Sequence, residues 1–135
     1  MSARSCAALT VFGLLLVAVP AVAHHAFQAQ FDEKNQFELT GVLAKVEWIN
    51  PHTYFHLDVK GANGKVTRWA LESFGPAGLR RAGLSNKGLL KVGDTYTVKV
   101  CGAKDGSTNL AWIINFKFPD GRLVTIWWGD PNQVQ

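Results

Sequence analysis

Apolar and polar residues alternate along most of this chain, and glycine, proline and asparagine break the alternation at intervals. From Gln36 to Ile49 the pattern reads as one long strand. Phe37 and Leu39 share a face, Gly41 interrupts, and Val42, Ala44, Val46 and Trp48 continue on the other parity. Period two is that of a pleated strand, and a glycine at a switch of parity predicts a bulge or sharp bend there. Asn50-Pro51 predicts a turn, because proline restricts the residue before it and donates no ladder hydrogen bond. His52 to Lys60 reads as a second strand, with Phe55, Leu57 and Val59 on one face and Tyr54, His56 and Asp58 on the other. Gly61-Ala62-Asn63-Gly64 is a hairpin signal. A third strand follows from Lys65 to Glu72, with Val66, Arg68, Ala70 and Glu72 opposite Thr67, Trp69 and Leu71.

The period then changes. Pro76 to Gly83 reads as a short helix, with proline at its first position and glycine just past its end. Lys91-Val92-Gly93-Asp94 is a turn, and Thr95 to Cys101 a fourth strand with Tyr96, Val98 and Val100 inward. Ser107 to Phe118 is a fifth, with Leu110, Trp112, Ile114, Phe116 and Phe118 on one face, and Leu123 to Trp128 a last. Three strands, a short helix, then two or three more strands is the order of an OB-like Greek-key barrel. The expected class is mainly β: five to six antiparallel strands with one helix between strands three and four, preceded by a signal-peptide helix. The rival is an open meander or sandwich in which the helix is incidental.

The N-terminus changes the picture of where such a barrel works. Arg4, an apolar run from Cys6 to Val19 and the small residues Ala21-Val22-Ala23 form an export signal with cleavage after Ala23. The alternative is an uncleaved anchor, but the run to Ala23 is at the lower limit for spanning, and Gly13 and Pro20 interrupt it. The expected division is a signal peptide at 1–23, an arm at 24–35, the barrel at 36–128 and a loose tail at 129–135. The processed protein is then periplasmic or secreted, with no stable membrane span. Cys101 would be its only cysteine, so an internal disulfide is ruled out. With 47% hydrophobic residues in 135, the chain has material for one self-sufficient core. The formal net charge of +4 is spread along the chain, without the clustered basic stripe of a nucleic-acid binder.

Several segments together carry a resemblance. They are His24-His25-Ala26-Phe27, Gly41-Val42, Val46-Glu47-Trp48-Ile49-Asn50-Pro51-His52, Leu57-Asp58-Val59 and Trp69-Ala70-Leu71-Glu72. Pro76, Leu79-Arg80-Arg81-Ala82-Gly83, Lys91-Val92-Gly93-Asp94 and Ala103-Lys104-Asp105-Gly106-Ser107 follow. Over about residues 24 to 122 the chain resembles the domain-of-unknown-function family 6152, small exported bacterial proteins. The resemblance implies an exported single domain and no established activity, so the chemistry has to come from the residues.

Four histidines are the first candidates. Cleavage after Ala23 frees the α-amine of His24, which with its own imidazole Nδ1 can chelate one metal. A third nitrogen from another histidine completes a T-shaped set resembling the histidine brace of copper proteins. Copper(II) accepts near-planar nitrogen ligands and binds them most tightly among the divalent ions, and an amine of pKa about 8 is readily deprotonated by a metal. His52 and His56 lie four apart on a strand, about 13 Å at about 3.3 Å per residue, so a straight strand cannot bring both to one ion. His24 with His52 is the expected metal pair, with His25 and His56 in reserve. The bland alternative is that all four are solvated or turn-capping. A structural zinc site lacks the usual cysteine pairs.

Glu47, Asp58 and Glu72 can line one face, for acid–base chemistry or, more commonly, to pair with cations such as Lys45, Lys60 and Arg68. No nucleophile–base arrangement supports catalysis. Trp48, Tyr54, Trp69, Trp127 and Trp128 are the candidate ligand-binding aromatics, since OB barrels use aromatics as stacking platforms. Trp48 and Trp112 can instead fill the barrel. The expected function is therefore an exported, non-enzymatic binding protein that takes copper, or alternatively a periplasmic protein or glycan on an aromatic surface without metal. Export makes nucleic acid an unexpected partner.

Overall fold

The computed structural model describes residues 27–84 and 88–126. The expected signal peptide, His24, His25, Trp127, Trp128 and the tail lie outside the described residues. The chain divides after Gln30 into two units. In the first, residues 27–30 are helical. The second holds the sheet: β1 (Phe31–Glu47), β2 (His52–Lys60), β3 (Val66–Phe74), α1 (Pro76–Arg81), β4 (Thr95–Ala103), β5 (Leu110–Lys117) and β6 (Leu123–Thr125).

The strand order is β3-β2-β1-β4-β5-β6, and Ala70 to Glu72 pair in parallel with Leu110 to Trp112 to join β3 to β5. All other pairings are antiparallel. Five strands closed through β1–β4 and β3–β5, with a helix between the third and fourth, make an OB-like barrel. β6 is a short addition along the second half of β5, and the open meander is not adopted.

β1 serves both sides of the barrel. Its first part pairs with β4 and its second with β2, and Gly41 and Val42 pair with both. A strand shared in this way bends where it changes partner, and the bend brings backbones close. A Cβ on Gly41 would lie 2.7 Å from the Asp58 carbonyl oxygen. Gly41→Ala therefore lowers stability by about 1–3 kcal/mol, as overpacking does, although alanine ordinarily suits a strand better than glycine. Urea denaturation checks this, and an unchanged midpoint would contradict it.

The sheet corrects three readings of the sequence. β1 starts at Phe31 rather than Gln36, because an irregular stretch between Phe31 and Gln36 still pairs with β4 at both ends. The parity switch in β1 falls between Leu43 and Lys45, not at Gly41. Leu39 and Leu43 are thus core residues and Val42 is exposed, and Val46 and Trp48 pack on the core only after the shift. In β5 a register shift opposite Lys99 and Val100 passes over Ile114. Ala111 and Ile113 join Phe116 and Phe118 in the core, and Trp112 does not belong to it.

Inside the barrel, Phe116 is fully buried, with ring centroids 5.0 Å from Tyr96, 5.5 Å from Phe55 and 5.6 Å from Phe118. α1 covers the core with Leu79. Its end is closed by backbone bonds from Gly83 N–H to Arg80 and from Leu84 N–H to Leu79. That pairing is a Schellman cap with its usual apolar contact, since Leu79 and Leu84 are both buried.

Candidate functional site

Period two sends Phe55 and Leu57 into the barrel, so His52, Tyr54, His56 and Asp58 stand on the outer face of β2. Register then chooses their neighbours. Tyr54 lies between Glu47 of β1 and Glu72 of β3, and Glu72 lies beside Trp112 of β5. His56 faces Lys45 and Ala70, Asp58 faces Val42 and Arg68, and His52 faces Phe74.

The three expected carboxylates have three different fates. Asp58 is held by Arg68 in a two-pronged ion pair, 2.8 Å at each oxygen. The Arg68 guanidinium keeps the Asp58 carboxyl below its ordinary value. Glu47 pairs with Lys45, whose ammonium holds that carboxyl below its ordinary range. His56 Nε2 stands 3.6 Å from the other Glu47 oxygen. Glu72 is different: only 3% exposed, it contacts His52 Nδ1 and hydrogen-bonds the Tyr54 hydroxyl. An ionised carboxylate can only accept, so His52 and Tyr54 both donate to it. Burial, then the Glu72 charge, pushes the Tyr54 hydroxyl above its ordinary pKa. Glu47 and Glu72 flank β2 two strand spacings apart, roughly 10 Å, too far for two carboxyl groups to share a proton.

His52 is fixed from three sides. The cis Asn50–Pro51 peptide turns the chain into β2. The loop after β3 lies against that turn, for a Cβ on Gly75 would sit 2.7 Å from the Pro51 carbonyl oxygen and 2.9 Å from Asn50 Oδ1. The imidazole then meets the Trp112 indole edge-on, with centroids 5.4 Å apart and planes at 88°. Phe31 at 5.7 Å and Phe74 at 5.6 Å pack on the same indole. Trp112, 2% exposed, thus anchors an aromatic cluster on the outside of the barrel. Strict alternation puts Trp112 in line with Phe116 and so conceals this role. The His52 side chain is 31% exposed and so remains reachable.

Among the described residues, no group of three or more His, Cys, Asp or Glu side chains converges to hold a metal. His52 and His56 share a face but attend separate carboxylates. Of the aromatic candidates, Trp48 meets Phe55 at 6.0 Å and Trp69 meets Phe37 at 5.7 Å, and both lean on the core. Tyr54 alone of the described candidates stands on the outer face with the histidines. No helix among the described residues is long and apolar enough to cross a membrane.

Cys101 is buried, paired in register with Trp112. Burial, with the Glu33 and Asp32 charges, pushes its thiol up to about 12. The thiolate is the reactive form, so Cys101 of the folded protein is inert to thiol reagents at pH 8 and reacts at once in denaturant; prompt modification of Cys101 while folded would contradict the burial. The linked effect on stability has a definite sign. The unfolded thiol, near its ordinary value of 9.0, loses its proton before the folded one, so stability falls as pH rises from about 9 toward 12.

No curated protein matches the chain. Among solved structures it is similar to the S. cerevisiae mitochondrial single-stranded DNA binding protein Rim1, at 8% identity over 72% of this chain and 98% of that one, with a TM-score of 0.46. It is also similar to TiaS, a tRNA agmatidine synthetase, in its complex with tRNA and ATP. That likeness is 18% identical over 65% of this chain and 19% of that one, with a TM-score of 0.43. The fold assignment rests on strand order and closure, not on these likenesses. The pattern of the Family of unknown function (DUF6152) matches residues 11–111, starting and ending earlier than the expected 24 to 122, and the chain belongs to that family.

Proposed function

We propose that this is an exported, non-enzymatic binding protein that holds copper(II) through the amine and imidazole of His24 and the imidazole of His52. The observation that supports the reading is the shared indole: Phe31 and His52 both pack on Trp112. Phe31 is the first residue of the barrel unit. The barrel unit thus begins on the same indole as His52, and His24 precedes Phe31 by seven residues in the sequence.

Each residue has a separate part. His24 supplies two nitrogens from one residue, and His52 supplies the third from a rigid strand. Nitrogen donors of this kind suit copper(II), and binding releases the proton of the α-amine. His25 and His56 are the reserves, and His56 is the weaker of the two because it already stands by Glu47. The test is electron paramagnetic resonance of the processed protein loaded with one equivalent of copper(II), with mass spectrometry showing His24 as the first residue. An axial spectrum with nitrogen coupling is expected, and a spectrum of aqueous copper would contradict the reading.

A further inference from the structure

We infer that Glu72 is a positioning residue for this site: it holds His52 with the proton on Nδ1, so that Nε2 is the nitrogen offered to the metal. The inference rests on the copper reading for the identity of the ligand, but its structural half concerns the metal-free protein alone.

The geometry is that of a carboxylate–histidine pair. His52 Nδ1 contacts Glu72 Oε1, and a carboxylate accepts but does not donate. The proton between them therefore belongs to Nδ1, and the lone pair falls to Nε2 on the far side of the ring. Histidines that bind metals commonly donate their other N–H to a carboxylate in this way, which fixes the tautomer and raises the basicity of the ligating nitrogen. A surface carboxylate would do this loosely. Glu72 does it firmly, because it is buried and because the Tyr54 hydroxyl holds it too. Trp112 limits the imidazole from another side. Tyr54, Glu72 and His52 thus form a line of donors and acceptor across β2 and β3. Glu47, the other acid beside Tyr54, is engaged by Lys45 and does not compete for His52.

The test uses the full processed protein with Glu72→Gln and Tyr54→Phe. In the metal-free wild type, nitrogen-15 NMR of His52 is expected to show the Nδ1-protonated tautomer. Glu72→Gln replaces a pure acceptor with a group that both donates and accepts, so both tautomers become populated. Copper affinity falls about 10- to 100-fold, as for other outer partners of metal ligands. Tyr54→Phe removes only one support of Glu72, so its loss stays under about tenfold by the same scale. Urea denaturation of each variant separates these effects from unfolding. An Nε2-protonated His52 in the wild type overturns the inference, and so does unchanged copper affinity in a folded Glu72→Gln. A wild type that takes no copper overturns the reading beneath it, and the tautomer then decides the role of Glu72 alone.

Discussion

Phe116→Ala lowers the free energy of unfolding by about 3–5 kcal/mol, the usual cost of emptying a buried phenylalanine site. Phe116 has no exposed surface, and three aromatic rings surround it. It pairs with Val98 of β4 and with Val124 of β6, so the cavity would open where three strands meet. Sheet hydrogen bonds hold those strands apart, which limits how far the walls can collapse and keeps the cost high. A domain of this size has about 5–15 kcal/mol in total, so the variant loses a large fraction of its stability. Denaturant titration followed by tryptophan fluorescence measures it. A change under about 1 kcal/mol would mean that the ring is not enclosed as described.

His52→Ala has two effects of different origin. It removes the ligand that the proposed copper site takes from the barrel, and on that proposal copper affinity falls at least about a hundredfold, since even outer partners of a ligand cost 10- to 100-fold. It also takes one donor from a buried carboxylate, which costs about 1–3 kcal/mol of stability when no water replaces it. His56→Ala separates the two histidines. It leaves half-buried Glu47 with its Lys45 partner, and leaves copper binding within about twofold, a difference of a few tenths of a kcal/mol. Calorimetric titration of both variants checks the pair, and equal losses from His52→Ala and His56→Ala would sink the assignment of His52.

The order of strands and helix was legible because turns punctuate it. Asn50-Pro51, Gly61 to Gly64, Pro76 with Gly83, and Asp105-Gly106 mark the breaks, and the alternation between them names the faces of β2 and β3. The bulges were less legible. In β5 the run Ala111-Trp112-Ile113-Ile114 is apolar throughout, so parity could not reveal where the register slips, and Trp112 was assigned to the wrong face. In β1, Asp32-Glu33-Lys34-Asn35 hides the start of the strand, because its pairing with β4 is irregular there. Period two alone places Tyr54, His56 and Asp58 on one face. The partnership of His52 with Glu72 needed more. It is a diagonal contact across β2 and β3, which register fixes and residue spacing does not. The meeting of His52, Phe31 and Trp112 depends on barrel closure between strands far apart in sequence.

Copper(II) calorimetry on the processed protein, beside a version with one extra alanine before His24, bears most directly on the proposed function. The extension keeps every described residue and moves the free amine off His24. Tight one-to-one binding by the processed protein, lost in the extended one, is the predicted result. Equal binding by both, or weak binding by both, would contradict a copper site built on the new N-terminus and His52.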